Sequence, residues 1–293
     1  MNQRGSGKLS KSTVRSTLAA LKSFFLWLAG RPGFRSRLNY ADAEYFSASD
    51  RDTRIALGLR PRRVPSLEQV RHVLASMPSG AVIERRDRAL VAFELMTACR
   101  DRAVVSLKLK HVDLARGLVF QDAREVQTKF GKTITTYFFP VGEEALQIVT
   151  DWIAELQTEH LWGPDDPLFP STLMAQGEDR EFRAVGLERR HWSTAGPVRR
   201  IFNTAFTSAG LPYFHPHSFR HTLGKLGQRL CRTPEEMKAW SQNLGHEQVL
   251  TTFISYGQVE DHRQGEIIQA LSRPPEVDAE DRWFLERIKR LAT

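Results

Sequence analysis

The 293 residues of this chain can form one large domain or a large and a small one, with enough apolar residues for a full core. Lysine and arginine outnumber aspartate and glutamate, 42 against 34, which gives a net charge of +8. This balance favours a polyanionic partner. The most apolar run, Leu18 to Ala29, is short and contains Lys22, and no apolar leader precedes it. We therefore expect a cytoplasmic protein without a membrane span.

The two cysteines, Cys99 and Cys231, do not have the spacing of metal ligands and form no disulfide framework. Both lie in apolar segments with helical character. We expect them to be buried free thiols.

Apolar residues at helical spacing predict an amphipathic helix near the N-terminus. They are Val14, Leu18, Leu21, Phe25 and Leu28. This helix should end near Gly30, and a weaker helical stretch should follow over residues 40–57. Residues 58–65 are basic and interrupted by proline, which is typical of an interdomain linker.

These boundaries predict a small helical domain over residues 1–60, a basic linker over 61–65 and a larger domain over 66–293. Local signals make the larger domain mainly α-helical with a small antiparallel β-sheet. Its first helix should start at a capping box formed by Ser66 and Gln69. Further helices are expected over residues 87–99, 101–110, 143–156, 197–209 and 217–230, and after the capping box of Thr233.

Two short segments, 118–121 and 133–139, have strand composition and flank a turn at residues 129–132. They predict a β-hairpin. Residues 158–195 are rich in glycine, proline and charge, and we expect a loop there.

Residues suited to phosphodiester chemistry occur in a defined order along the larger domain. The series is Arg100, Lys129, His217, Arg220, His246 and Tyr256. A phenol can act as the nucleophile, and arginines stabilise the charge that develops on a phosphate. Lysine or histidine can protonate the departing oxygen. Each residue type taken alone also has an ordinary structural explanation, so the order carries the functional hypothesis.

The series resembles that of the tyrosine recombinase (phage integrase) family. Residues 97–100 are similar to its T-G-x-R pattern, with Ala98 in place of the glycine. Residues 217–222 are similar to its HxLRHT box, and residues 244–246 to its LGH box. The similarity extends over about residues 65–271. It implies a tyrosine-recombinase catalytic domain preceded by a reduced helical core-binding domain.

The resemblance also implies the role of each residue. Tyr256 attacks the phosphate, while Arg100, Arg220 and His246 bind and stabilise it. His217 accepts a proton or a hydrogen bond, and the hairpin lysine, Lys129, is the general acid. Neither a metal ion nor ATP or any other cofactor is implied. Lys132 competes with Lys129 for the acid role, and Tyr213 is the second choice of nucleophile.

The implied partner is double-stranded DNA with a specific recombination site, bound by a homo-oligomer, a tetramer in this family, that is associated with the nucleoid. The basic residues expected to contact DNA are Arg15, Lys22, Arg60, Arg62, Arg63 and Lys132. The segment 259–271 is expected to dock on a neighbouring protomer.

Three departures from the family pattern keep alternatives open. Ala103 stands where the family has an acidic residue, and Tyr256 lies ten residues after His246, where nine are usual. The N-terminal domain is also short. The alternatives are a type IB-like topoisomerase or telomere resolvase with the same chemistry, and a catalytically inactive DNA-binding remnant.

Overall fold

The computed structural model describes residues 9–58, 63–177 and 180–246. It divides into two compact units, Met1–Arg62 and Arg63–Thr293, which are described separately below. Three of the residues expected to act on DNA, Arg60, Arg62 and Tyr256, lie outside the described residues, as does the expected docking segment 259–271. Among the residues that the structure describes, no helix is long and apolar enough to cross a membrane.

The first unit contains two α-helices and a short 3-10 helix in its described part. They are α1 (Lys11–Ala29), the 3-10 helix Tyr40–Phe46 and α2 (Asp50–Leu57). The prediction of α1 is confirmed. The weak helix expected over 40–57 is instead interrupted, because the Ser49 side chain accepts a hydrogen bond from the Asp52 N–H and starts a new helix.

Contacts between α1 and its neighbours hold the first unit together. The rings of Phe25 and Phe46 stack with centroids 4.7 Å apart. Lys11 pairs with Asp52, and Lys22 with Glu44, each at 2.7 Å. Such exposed pairs contribute at most about 1 kcal/mol each.

The second unit is mainly helical, as predicted. The α-helices in its described part are α3 (Leu67–Ser76), α4 (Val82–Thr97), α5 (Asp101–Val104), α6 (Glu143–Thr158), α7 (Gly196–Ser208), α8 (Ser218–Leu230) and α9 (Pro234–Asn243). Its strands are β1 (Val112–Asp113), β2 (Leu118–Gln121), β3 (Ile134–Tyr137), β4 (Ser171–Gln176) and β5 (Phe182–Glu188). Short 3-10 helices span Leu109–His111 and Lys129–Gly131.

Helix α4 forms the centre of the core. Every residue from Ala89 to Thr97 is buried, so this helix is covered on all sides over its second half. It packs most extensively against α6. The buried Arg86 guanidinium donates to the Pro170 carbonyl and the Thr172 hydroxyl, which ties the start of β4 to α4.

The three-stranded antiparallel sheet has the order β1-β2-β3, and Phe120 pairs with Thr135 in its second ladder. The predicted hairpin is thus confirmed. The loop predicted over 158–195 is wrong in its centre, where β4 and β5 form a second antiparallel hairpin. Most side chains of both strands are exposed, so the sequence lacks the apolar alternation that marks a half-buried strand.

In the second unit, three helix starts are where the sequence predicted them, and the end of one helix is not. The capping boxes of Ser66 and Thr233 are both present, and α7 begins beside Pro197 as expected. The helix predicted over 101–110 is wrong after Val104, where the chain turns irregularly. Cys99 is buried as expected, but Cys231 is only half-buried because it caps the exposed end of α8.

Gly227 allows α8 and α9 to approach closely. A Cβ added at this position would lie 2.6 Å from Nε1 of Trp240, which donates to the Leu223 carbonyl. Gly227→Ala should therefore lower the free energy of unfolding by about 1–3 kcal/mol, since the clash outweighs the gain of about 1 kcal/mol in helix propensity. Urea denaturation measures this change. Gly186→Ala is the control, because its Cβ would meet nothing within 4 Å. Equal stability of the two variants would contradict the prediction.

Candidate active site

The end of α4 forms one side of the candidate site. Ala98 ends this helix in the left-handed conformation, with φ 50° and ψ 27°. This bend lets the chain leave α4 and begin α5 within three residues. Arg100 is the residue that precedes α5, and its half-buried side chain lines a pocket at this bend.

Arg220 occupies the centre of the site from the first turn of α8. Its side chain is buried, and Nη1 donates to the Ala98 carbonyl at 2.7 Å. Nη2 donates to the carbonyl of Leu244. One guanidinium thus joins the end of α4 to the end of α9, although these segments are far apart in sequence.

Gly245 and Asn243 place His246 beside Arg220. Gly245 has φ 68° and turns the chain back after α9. A Cβ added at this glycine would lie 3.4 Å from Cδ1 of Ile134 in β3. The Asn243 side chain exchanges two hydrogen bonds with the backbone of Tyr137, at 2.7 and 2.9 Å. This pairing fixes the end of α9 against the three-stranded sheet.

These elements enclose a polar pocket. Its lining residues are Ala98, Cys99, Arg100, Gln121, Ile134, Thr136, Arg220, Asn243, Leu244 and Gly245. The Gln121 amide donates to the Thr136 hydroxyl at 3.1 Å on the sheet side. The structure therefore brings Arg100 and Arg220 together in one pocket, and His246 lies beside Arg220.

His246 contacts Arg220 directly, with Nε2 3.3 Å from Nη2. A guanidinium has only donors, so Nε2 must accept and the ring proton must reside on Nδ1. Partial burial, together with the charges of Arg220 and Arg100, lowers the pKa of His246 to about 4. The imidazole is therefore neutral at pH 7, and its Nδ1–H can donate to a ligand.

His217 immediately precedes α8, and its ring lies 5.6 Å from that of His221. Desolvation by its neighbours, and then the positive charge of Arg220, lower the pKa of His217 to about 4. The neutral imidazole can accept a hydrogen bond at pH 7, which is one of the two roles that the sequence analysis gave it, and its low pKa makes it a weak base in the DNA-free protein.

His217 and His246 should titrate with midpoints near pH 4 in the DNA-free protein, well below the pKa of an unperturbed imidazole. Because the folded-state pKa is depressed, the unfolded chain binds more protons below about pH 6.5, and stability should fall as the pH drops from there towards 4. NMR titration of the ring Cε1–H signals measures the midpoints. Arg220→Gln should raise both, and midpoints near 6.5 in the parent protein would contradict the prediction.

The two candidate acids lie on the turn between β2 and β3. Lys129 and Lys132 are both exposed, and Lys129 Nζ lies 4.8 Å from the ring centroid of Phe130. Phe130 itself has φ 62°, so the turn is tightly bent there. Neither lysine lines the pocket. The structure therefore places both lysines on one exposed turn, and their positions do not distinguish which of them is the general acid.

The described residues expected to contact DNA are exposed or half-buried. Arg15 and Arg63 are exposed, while Lys22 is half-buried and paired with Glu44. DNA binding by Lys22 would thus have to compete with an existing ion pair.

Sequence reasoning missed Gln121 and Thr136, which line the pocket. Both are polar residues on a predicted hairpin, and nothing in their spacing indicated that they line a pocket. Ala103, at the position where the family has an acidic residue, is buried in the core and offers no carboxylate to the site. Asp101 binds Arg199 instead, at 3.0 and 3.1 Å.

Cys99 lines the pocket, yet it is a poor nucleophile. Burial raises the pKa of its thiol to about 12, so no thiolate forms at neutral pH. No group of three or more histidine, cysteine, aspartate or glutamate side chains that could hold a metal ion occurs in the described part of the chain.

Residues 66–263 match the model of the phage integrase family. The chain belongs to this family. Members of the phage integrase family are DNA breaking and rejoining enzymes, and this chain is a tyrosine recombinase of that class. The matched range includes all six candidate catalytic residues.

Two curated relatives are tyrosine recombinases XerC. This integrase family member is 24% identical over 252 residues to that of Lactobacillus delbrueckii subsp. bulgaricus, covering 84% of this chain and 72% of the relative. It is 25% identical over 249 residues to that of Escherichia coli O157:H7, covering 84% and 70%.

Two solved structures share the fold. The crystal structure of XerA recombinase has a TM-score of 0.50 at 19% identity, covering 88% of this chain and 84% of that chain. The Tn1549 transposon integrase in complex with circular intermediate DNA has a TM-score of 0.53 at 14% identity, covering 90% and 81%. The predicted fold class, a mainly helical recombinase domain with a small antiparallel sheet, is confirmed.

Proposed function

We propose that this tyrosine recombinase cuts and rejoins DNA at a specific site through a 3′-phosphotyrosine intermediate. The observation that carries the proposal is the pocket in which Arg100 and Arg220 converge beside the neutral imidazole of His246. Two guanidinium groups in a partly enclosed pocket suit a phosphodiester, because their planar forks match phosphate oxygens and keep their charge at any working pH.

In the proposed first step, the Tyr256 oxygen forms a bond to the scissile phosphorus while the bond to the 5′ oxygen breaks. The phenolic proton passes to His217, which is neutral at pH 7 in the DNA-free protein. It becomes a stronger base when the negative charge of the bound phosphate offsets the positive charge of Arg220. Lys129 gives a proton to the departing 5′ oxygen. Arg100, Arg220 and the Nδ1–H of His246 stabilise the negative charge on the non-bridging oxygens.

The second step reverses the first on a different strand. A 5′-hydroxyl attacks the phosphotyrosine, a new phosphodiester forms and Tyr256 leaves with its proton restored. The covalent link conserves the energy of the broken bond, so the proposed cycle requires neither a metal ion nor ATP.

The proposed partner is double-stranded DNA carrying the target site, bound by a tetramer of this chain in association with the nucleoid. DNA-bound relatives such as the Tn1549 transposon integrase support a DNA partner. The proposed phosphate contacts come from Arg15, Lys22, Arg60, Arg62, Arg63 and Lys132. The proposed domains are a DNA-binding core-binding domain at residues 1–60, a linker at 61–65 and a catalytic domain at 66–293.

A suicide duplex tests this proposal. The duplex carries a nick close to the scissile phosphate, so that the fragment with the 5′-hydroxyl diffuses away after cleavage. We expect a protein–DNA adduct that survives SDS and forms in EDTA without nucleotide. Supercoil relaxation without recombinant product would favour a type IB-like topoisomerase or telomere resolvase. Binding to the target DNA without any adduct would indicate an inactive remnant.

Substitution of the turn lysines should identify the general acid. Lys129→Ala should slow cleavage of an ordinary duplex by about a hundred-fold or more, because the 5′ oxygen then departs without a proton. A 5′-bridging phosphorothiolate should restore the rate, since a thiolate leaves unprotonated. Lys132→Ala is the matched control on the same turn, and we expect it to weaken binding and to show no such rescue. Rescue in Lys132→Ala alone would move the acid to that residue.

A further inference from the structure

Phe130 is an aromatic residue at the tip of the turn between β2 and β3, and the proposed chemistry does not use it. Its side chain is 82% exposed, more than any other aromatic side chain in the described part of the second unit. A single exposed apolar side chain is common on protein surfaces. The exposure of this ring therefore gains its meaning from the backbone and the neighbours of Phe130.

The backbone of Phe130 adopts a conformation that large side chains rarely adopt. Its φ of 62° and ψ of 21° lie in the left-handed region, which glycine and asparagine enter far more readily. Gly131 follows with φ 62°, so two successive residues of the turn are left-handed. Glycine or asparagine at position 130 would give a more stable turn. Strain of this kind is concentrated at functional sites, so we look for a use of the ring.

The ring lies beside the candidate general acid. Lys129 Nζ is 4.8 Å from the centroid of the Phe130 ring, and the Cα atoms of adjacent residues are about 3.8 Å apart. If Lys129 reaches the departing 5′ oxygen as proposed, the Phe130 side chain comes within reach of the bases next to the scissile phosphate. The ring would then be at the DNA surface and no longer in water.

The contact with Lys129 is a weak reason for the ring. A cation over an exposed aromatic ring changes an equilibrium constant by about two- to five-fold. Stacking of a nucleic-acid base on an aromatic side chain changes it by about five- to 150-fold, and it also removes the ring from water. A base is therefore the ligand that gains most from an exposed phenyl ring at this place.

We propose that Phe130 is a wedge, whose ring packs against a base step beside the scissile phosphate and partly unstacks it. This inference rests on the proposed function, because Lys129 brings the turn to the DNA in that function. Apolar side chains that enter a base step unstack it at a cost, and the cost is lowest at flexible pyrimidine–purine steps. Phe130 thus favours target sites with such a step at this position, without any hydrogen bond to a base.

The fluorescence of 2-aminopurine tests the wedge directly. This base is quenched while it is stacked in a duplex, and it brightens when it is unstacked. It is placed in turn at each position in the central part of the target duplex. The protein carries Tyr256→Phe, so that cleavage does not change the signal. We expect about two-fold brightening or more on binding, confined to one base step.

Phe130→Asn, introduced into the Tyr256→Phe protein, removes the ring and relieves the strain at the same position. The melting temperature should stay the same or rise, because asparagine enters the left-handed region readily. The brightening should disappear, and the affinity for the target duplex should fall by about five-fold or more. Phe130→Trp should keep both the brightening and the affinity, since it retains a ring that can stack.

Phe182→Asn is the matched control. Phe182 is also an exposed phenylalanine of the second unit, at 69%, but it lies on β5 in the other hairpin. Its replacement in the Tyr256→Phe protein should change neither the brightening nor the affinity. An equal loss of affinity in both variants would show only that exposed apolar area aids binding, and it would overturn the inference.

The fluorescence measurement needs no cleavage, so failure of this inference is distinguishable from failure of the proposed function. If the protein with Tyr256 forms no adduct, the proposed function fails and the fluorescence still decides the role of Phe130. Brightening that persists in Phe130→Asn would overturn the inference, as would a complex without brightening at any position. Slow cleavage by Phe130→Asn that recovers on the 5′-bridging phosphorothiolate, with the brightening unchanged, would assign the ring to Lys129 instead.

Discussion

Arg220→Ala should slow DNA cleavage by about a thousand-fold or more and should also destabilise the protein. The loss of rate follows from the removal of one of the two cations in the pocket. The loss of stability follows from two buried carbonyls, those of Ala98 and Leu244, which lose their donor. Each unsatisfied carbonyl costs about 1–3 kcal/mol. Single-turnover cleavage and urea denaturation measure the two effects separately.

Arg220→Lys should rescue cleavage poorly. An ammonium keeps the charge, but it cannot donate in two fixed directions to carbonyls of different segments and still face a phosphate. Arg86→Lys is the control for a buried arginine, because Arg86 also bonds a backbone carbonyl but does not line the pocket. We expect that variant to be less stable and to cleave normally once folded. Normal cleavage by Arg220→Lys would reduce Arg220 to a structural residue.

Tyr256→Phe should abolish the covalent adduct and leave DNA binding unchanged. The substitution keeps the ring and removes only the oxygen that attacks phosphorus. Gel electrophoresis in SDS detects the adduct, and a mobility-shift titration measures binding of the same duplex. The prediction rests on sequence order, since Tyr256 lies outside the described residues.

Tyr213→Phe is the matched control for Tyr256→Phe. Tyr213 is partly exposed, and partial burial raises the pKa of its phenol, which disfavours the phenolate needed for attack. Cleavage should therefore persist in this variant. An adduct that survives in Tyr256→Phe and disappears in Tyr213→Phe would reverse the assignment.

Local signals predicted the helix starts of the larger unit because capping depends on neighbouring residues alone. Ser66 with Gln69 and Thr233 with Glu236 each form both expected hydrogen bonds. The hairpin β4–β5 escaped prediction because both of its faces are largely exposed, which leaves no apolar alternation to read. Its strands are instead held by backbone pairing with each other.

The candidate site was predicted in part for a different reason. The order Arg100, Arg220, His246 is visible along the chain, and the structure brings these three residues together. What brings them together is not visible, since the bond from Arg220 to Ala98 spans 122 residues.

The pairing of Asn243 with Tyr137 determines which substitutions this part of the molecule can accept during evolution. The Asn243 side chain forms hydrogen bonds with the backbone N–H and carbonyl of residue 137, and these bonds do not involve the side chain of that residue. The exposed side chain at position 137 is therefore free to vary while the end of α9 stays in register. Proline is the exception at position 137, because it has no N–H to donate. Variation of the side chain at position 137 is thereby compatible with an unchanged pocket between Arg100 and Arg220.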